Sequence, residues 1–181
     1  MSKWLRYLAL VLSAGTAVPI LAAPRCPAGD AQVLAVSAER ALARAEWPLA
    51  ARQFTCATQH AGDVALAERA TRTAYDSLQI ASAVADARRW LELVPDSEVA
   101  RRYLATGLLR LYDDDAAAEQ FAALLNTSYQ DRARGYMTLL EILAEERNET
   151  GAARVMERLA ALDPGLAESF GKVPIDVKDS P

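Results

Sequence analysis

The chain has 181 residues, of which 52% are hydrophobic and 24% are charged, and its formal net charge is −4. This length is enough for one compact domain or a short repeat array. An acidic chain without a basic run is a poor nucleic-acid binder, so the composition excludes that class of partner. Alanine is abundant, aromatic residues make up only 7%, and the alternating pattern of β-strands is missing, so we expect an all-α protein.

Residues 1–22 have the pattern of a secretory signal peptide. Lys3 and Arg6 precede an uncharged apolar run that ends in small residues. We predict cleavage after Ala22, because cleavage after Ala23 would leave a proline next to the cut. The alternative is an uncleaved membrane anchor, since the run is long enough for a marginal transmembrane helix, and only then would the protein contact a membrane. Cleavage leaves 18 Lys and Arg against 24 Asp and Glu, a net charge of −6.

Residues 23–30 form a predicted linker that contains Cys26, and the second cysteine, Cys56, falls in the middle of a predicted helix. Export would place both thiols in an oxidising compartment, which predicts a Cys26–Cys56 disulfide. Two unpaired thiols are the alternative. The bond would close a loop of roughly 30 residues and contribute about 3 kcal/mol by restricting the unfolded chain.

A helical hairpin recurs through residues 31–166. The second helix of one unit carries Ala83, Ala87, Trp90 and Leu91 on one face, at spacings of four, three and one. Related sets stand 34 residues later, a further 35 residues later, and 33 residues earlier. Their members are Ala117, Phe121, Leu124 and Leu125, then Ala152, Met156, Leu159 and Ala160, and, on the earlier side, Ala50, Phe54, Ala57 and Thr58. Self-similarity at such a period is typical of a solenoid of stacked units.

Eight helices are predicted, at 31–44, 47–60, 63–77, 80–94, 97–111, 114–126, 131–147 and 150–162. Asp96 or Ser97 is expected to cap the fifth of these helices. The aspartates at 113–115 are interpreted as a solvated turn and helix cap, because a calcium loop needs further oxygen ligands and a glycine. Residues 167–181 are predicted to be a flexible tail, since they combine prolines with charged residues.

Catalytic motifs are scarce in the sequence. His60 is the only histidine and stands at a predicted helix end without an apparent partner, so we interpret it as a helix-terminal residue rather than a general base. No nucleophile elbow, zinc motif, CxxC pair or dinucleotide-type glycine loop occurs. The sequence therefore predicts a protein that is not an enzyme and that needs neither a metal nor a cofactor.

With this period and these residues, the chain resembles the tetratricopeptide repeat (TPR) family, in the form found in exported proteobacterial proteins. The family pattern places a small residue and an aromatic on the second helix and a proline near its end. The matching residues are Ala50 with Phe54, Ala117 with Phe121, and the prolines Pro95 and Pro164. The first helices depart from the family pattern, with Ala70-Thr71 and Leu104-Ala105 where it has Leu-Gly. The resemblance implies a right-handed α-α superhelix of about four hairpins, whose first helices line a concave face.

Projecting that face onto this sequence gives nine candidate binding residues. They are Glu68, Arg72, Tyr75, Arg102, Thr106, Arg110, Arg134, Met137 and Glu141. Four arginines would make a local positive stripe, and a guanidinium can bind a carboxylate through two parallel hydrogen bonds, so an acidic peptide or a free chain end is the expected ligand. The alternative is that these arginines form ordinary surface ion pairs with nearby glutamates.

The leading hypothesis is an exported TPR-like scaffold or adaptor, periplasmic or secreted, that binds another envelope protein or peptide through its concave face. One alternative is a membrane-anchored envelope assembly factor or chaperone subunit with the leader uncleaved. Others are an enzyme with an unrecognised site and a purely structural block within a larger complex.

Overall fold

The structure, a computed structural model, describes Cys26 and residues 29–128 and 132–162. Within these ranges the chain folds as helices joined by short turns, and it contains no strand. The predicted signal peptide at residues 1–22, the tail at 167–181, most of the 23–30 linker and Pro164 lie outside the described residues.

The described ranges contain eight α-helices, as the sequence predicts. They are α1 Ala31–Ala43, α2 Trp47–His60, α3 Val64–Asp76, α4 Ile80–Leu93, α5 Glu98–Arg110, α6 Asp114–Ser128, α7 Arg132–Ala144 and α8 Glu149–Leu162. The predicted boundaries differ from these by two residues or fewer except at the end of α7, which was placed at residue 147 and lies at Ala144. Side-chain caps fix several starts, and Ser97 rather than Asp96 caps α5, where its hydroxyl accepts a hydrogen bond from the Ala100 N–H at 3.2 Å.

Consecutive helices pack as antiparallel hairpins, and each hairpin packs on the next. α3 lies against α2 and α4, and α5 lies against α4 and α6, so the predicted all-α solenoid of helical hairpins is confirmed. The right-handed sense of the superhelix stays a prediction. α5 approaches α4 closely at Gly107, where a Cβ atom would lie 2.6 Å from Cγ2 of Val84.

The first three hairpins turn by the same backbone motif. In the first, the Glu46 N–H donates to the Ala41 carbonyl and the Ala45 N–H donates to the Leu42 carbonyl, each at 2.9 Å. This pair of hydrogen bonds is the Schellman motif, which ends a helix by placing one residue in the left-handed region. The same bonds recur in the other two hairpins, and the left-handed residues are Ala45, Leu78 and Tyr112, with φ of 58°, 59° and 62°.

Glycine usually occupies this left-handed position, because it has no Cβ to clash with the backbone. This chain instead uses Ala45, Leu78 and Tyr112, and each such residue costs about 1 kcal/mol. The recurrence of the same unfavourable geometry in three successive turns shows that the repeat exists in the backbone as well as in the sequence.

The repeated stripe of small and large apolar residues forms the core. Phe54, Trp90 and Phe121 are each 5% exposed or less, and the alanines one turn before Phe54 and Phe121 are fully buried. Small residues let neighbouring backbones approach, and the larger side chains fill the space between them. The described cysteines are joined, as predicted, in a Cys26–Cys56 disulfide with a Cα–Cα distance of 5.2 Å.

The fourth hairpin departs from the repeat. α8 buries Gly151, Val155 and Leu159, whereas the sequence pattern placed Ala152 and Met156 on the buried face. α8 has its most extensive contacts with α6 rather than with its own hairpin partner α7. The predicted Leu159 is buried, whereas Ala152 and Met156 are only partly buried and the residue before each of them is buried instead.

One carboxyl group lies in the core between α2 and α4. Asp86 is 2% exposed, and its Oδ2 accepts a hydrogen bond of 2.7 Å from the Thr55 hydroxyl. Removal from water raises the pKa of Asp86 to about 7, and the hydrogen bond from Thr55 limits the rise.

None of the helices in the described ranges has the length and apolar character that a membrane crossing requires.

Candidate functional site

A cleft of about 420 Å³ lies between α3, α5 and the α7–α8 loop. We call it the α3–α5 cleft. Its lining residues are Arg72, Tyr75, Val99, Arg102, Tyr103, Thr106, Arg110, Ile142, Glu145 and Glu146. They come from α3, α5, α7 and the loop after α7. α3, α5 and α7 are the first helices of successive hairpins, the helices on which the sequence analysis places the candidate binding residues.

Helical spacing brings these side chains together. Arg72 and Tyr75 are one turn apart on α3, and the α5 residues Val99, Arg102 and Thr106 follow one another at intervals of three and four. Residues at such intervals share one face of a helix. α3 and α5 contact each other across α4, so their polar and aromatic faces border the same cleft.

A partly buried ion pair forms part of the cleft lining. Arg110 donates two hydrogen bonds to Glu146, from Nε to Oε2 at 2.8 Å and from Nη2 to Oε1 at 2.9 Å. Glu146 is 8% exposed, whereas the Arg110 side chain keeps 31% of its surface accessible, so the pair is partly shielded from water. Parallel bonds of this kind are stronger and more directional than a single charged contact.

Tyr75 and Tyr103 form the aromatic floor of the cleft. Their ring centroids are 5.1 Å apart and their planes meet at 78°, an edge-to-face arrangement. The Arg110 guanidinium lies over the Tyr75 ring at 4.4 Å from its centroid, and that of Arg72 lies over Tyr103 at 5.7 Å. Burial raises the pKa of Tyr75, so its hydroxyl stays neutral at physiological pH, and it lies 3.4 Å from Oε1 of Glu146.

The predicted positive stripe is largely neutralised by the protein itself. Arg72 pairs with Glu68 at 2.8 Å and Arg110 pairs with Glu146. Within the described part of the chain, Arg102 has no carboxylate partner, and Glu145 has no basic partner. Among its described residues, the cleft therefore offers a ligand one guanidinium and one carboxylate together with aromatic and aliphatic side chains.

Five of the nine predicted residues line this cleft: Arg72, Tyr75, Arg102, Thr106 and Arg110. Glu68 lies at its border through its ion pair with Arg72. The three residues predicted on α7, Arg134, Met137 and Glu141, are exposed but are not among the lining residues, and α7 contributes Ile142 instead.

Sequence reasoning missed Tyr103 and Glu146. Tyr103 directly follows Arg102 and stands four residues after Val99, so a wider helical face would have included it. Glu146 was assigned to α7, although Asn148 could have signalled an earlier helix end. The Asn148 Oδ1 accepts from the Gly151 N–H at 3.0 Å and caps α8, and its Nδ2 donates to the Leu109 carbonyl at 3.0 Å.

A separate hollow of about 560 Å³ lies beside the aspartates at 113–115. Two arginines of α8 pair with these aspartates, Arg154 with Asp114 at 3.1 Å and Arg158 with Asp115 at 2.5 Å. The predicted cap is present, since Asp113 accepts from the Ala116 N–H at 3.4 Å, but Asp114 is 9% exposed and is not solvated as predicted. The two ion pairs therefore link the start of α6 to α8.

His60 is exposed at the last position of α2, in agreement with its interpretation as a helix-terminal residue. The α3–α5 cleft combines aromatic faces with two charges that have no partner in the described part of the chain. No protein-family model matches the chain, and no curated protein matches it with significant similarity.

Proposed function

We propose that this protein is an exported TPR-like scaffold or adaptor that binds a segment of another envelope protein in the α3–α5 cleft. The observation that carries the proposal is the combination of the Tyr75–Tyr103 pair with Arg102, a guanidinium that the described part of the chain leaves without a carboxylate partner. A carboxylate of the bound segment pairs with Arg102, and its apolar atoms pack against the two tyrosines.

The other charges of the cleft define its selectivity. Glu146 already occupies Arg110 with both carboxylate oxygens, so a ligand carboxylate at that position would have to displace it. Glu145 repels a second ligand carboxylate and attracts an ammonium group. The preferred segment therefore carries one acidic residue near Arg102 rather than an acidic run.

Residence in the periplasm belongs to the same proposal. The leader pattern at residues 1–22 is typical of export, and the Cys26–Cys56 disulfide is typical of proteins in oxidising compartments. Both features support a partner that is itself exported.

The experiment is photo-crosslinking in living cells from a photoreactive amino acid at position 102, with the captured protein identified by mass spectrometry. The matched control places the same group at Arg88, an exposed arginine of α4, which does not line the cleft. We expect one dominant exported partner from position 102 and not from position 88.

The purified partner then tests the chemistry. Arg102→Glu should weaken its binding about tenfold or more, because it replaces an attractive charge by a repulsive one, whereas Arg88→Glu should leave it unchanged. Equal binding by the two variants, or the same adducts from both positions, would refute the assignment of the cleft.

A further inference from the structure

Three exposed apolar side chains lie along the edge where the hairpins turn. Trp47 and Leu78 border one hollow of about 420 Å³, and Leu78 and Tyr112 border a second of about 410 Å³. Leu78 is shared by both hollows, so the three side chains form a continuous row, which we call the turn edge. Their exposed fractions are 49%, 76% and 73%.

Folding does not account for the two most exposed members. Leu78 and Tyr112 occupy the left-handed positions of their Schellman turns, where glycine would relieve the backbone. Their side chains also leave most of their apolar surface in water. Large apolar side chains kept at a strained, solvent-facing position are typical of a binding surface.

The charges around the two hollows indicate what kind of partner fits. Asp76 lines the first and Glu145 the second, and neither has a basic partner within the described ranges. Arg147 also lines the second hollow, while the charge of Arg110 is already taken by Glu146. In the second hollow the two glutamates and the two arginines balance, so the excess negative charge of the turn edge lies at Asp76 in the first hollow, where it complements a lysine or arginine and repels an anionic bilayer.

We propose that the turn edge docks an amphipathic segment of another protein, whose apolar residues enter the hollows on either side of Leu78 and whose basic residues face Asp76. The second hollow shares Arg110, Glu145 and Glu146 with the α3–α5 cleft, but Trp47, Leu78 and Tyr112 do not line that cleft. The turn edge gives the scaffold a second contact that selects basic rather than acidic chemistry.

The probe is a fluorescein-labelled helical peptide of leucine and lysine with one apolar face, and its control has glutamate in place of each lysine. Fluorescence anisotropy is measured against the full-length protein at physiological ionic strength. The lysine peptide should bind about tenfold or more tightly than the glutamate peptide, because only the former complements the turn edge.

Substitutions to glycine test the turn edge in such a way that weaker binding cannot be attributed to unfolding of the protein. Leu78→Gly and Tyr112→Gly should each weaken binding of the lysine peptide about tenfold or more, because each removes an apolar contact, yet each should raise the melting temperature by relieving the left-handed backbone. Leu78→Ala should weaken binding similarly without raising the melting temperature. Val33→Ala, at a 66% exposed position of α1, is the matched control and should change neither property.

All of these variants keep the net charge, so a nonspecific attraction of the lysine peptide to an acidic protein would survive them. Unchanged affinity in Leu78→Gly and Tyr112→Gly would therefore overturn the proposal. If Arg102→Glu changes the affinity for the peptide and Leu78→Gly does not, the peptide binds in the α3–α5 cleft, and this result would also overturn the proposal. The proposed cleft function and the turn edge can thus fail separately.

Two other occupants are tested with the same variants. The first test is flotation with vesicles of phosphatidylcholine, alone or mixed with phosphatidylglycerol. If the wild-type protein floats and Leu78→Gly does not, the turn edge binds a membrane. The second test is sedimentation: if the wild type self-associates with rising concentration and Leu78→Gly does not, the turn edge binds a second copy. Either result would overturn the proposal.

Discussion

The buried carboxyl group of Asp86 should make this protein less stable as the pH rises from about 4 to about 8. Removal from water raises the pKa of Asp86 from 3.8 to about 7 in the folded protein, so the folded state holds a proton that the unfolded chain releases at lower pH. The stabilising effect of that proton is complete below the unfolded pKa. It is lost progressively as the pH rises through the folded pKa.

The size of the effect follows from the two pKa values. A shift of one pKa unit corresponds to about 1.4 kcal/mol, so the change from 3.8 to about 7 corresponds to a loss of about 4 kcal/mol by pH 8. The Thr55 hydroxyl, which donates to Asp86 at 2.7 Å, favours the charged form and is already included in this shift. Such a loss is a large fraction of the stability of an ordinary domain.

Asp86→Asn isolates this contribution, because it keeps the shape of the side chain and cannot ionise. Urea unfolding followed by far-UV circular dichroism, with the disulfide intact, gives the free energy of unfolding of both proteins across the pH range. The variant should match the wild type near about pH 4 and exceed its stability by about 4 kcal/mol near about pH 8. Asp96→Asn makes the same chemical change at an exposed turn and should leave the difference below about 0.5 kcal/mol throughout.

A difference between Asp86→Asn and the wild type that stays constant with pH would refute this reasoning. It would mean that Asp86 ionises in the folded protein as readily as in the unfolded chain, and that water or a cation reaches it. Thr55→Val provides a second check. Without the donating hydroxyl, the free energy of unfolding should fall more with rising pH in this variant than in the wild type.

Three further predictions concern stability and are measured by the same unfolding assay. Ala45→Gly should add about 1 kcal/mol, because it relieves a left-handed residue, and a loss of stability would contradict that explanation. Reduction of the Cys26–Cys56 bond should remove about 3 kcal/mol, and a Cys26→Ser, Cys56→Ser double variant should match the reduced protein. Phe121→Ala should lose about 3–5 kcal/mol by opening a cavity at a 1% exposed site, whereas Met137→Ala, at a 51% exposed site, should change stability by about 0.5 kcal/mol or less.

The hairpin repeat was predictable because it depends on local spacing. A small residue followed four positions later by a large apolar one, as in Ala117 and Phe121, specifies a buried helical face without reference to distant parts of the chain. The turn prolines and Ser97 added start and stop signals that are equally local. Most helix boundaries and much of the core therefore followed from the pattern, the end of α7 and the buried face of α8 being the exceptions.

The missed features depend on distant partners. Glu146 lies in the loop after α7, where it is buried and its carboxylate accepts hydrogen bonds from Arg110, 36 residues upstream. Asp86 stands beside the fully buried Ala87, yet an aspartate in an amphipathic helix is ordinarily assigned to the solvent face. Five of the predicted residues share a cleft, but its net charge could not be obtained without knowing these pairings.

The contacts of Glu146 also change how the array should come apart. In an ideal solenoid each hairpin touches only its neighbours, so unfolding can begin at an end and proceed one unit at a time. Here the loop of the fourth hairpin holds Arg110 of the third and reaches the hydroxyl of Tyr75 in the second, 71 residues away. At the opposite end, the disulfide joins the segment before α1 to the middle of α2. Both ends of the array are thus tied by contacts outside the repeat, and hydrogen exchange should report one cooperative unit rather than fraying that progresses inward from α8.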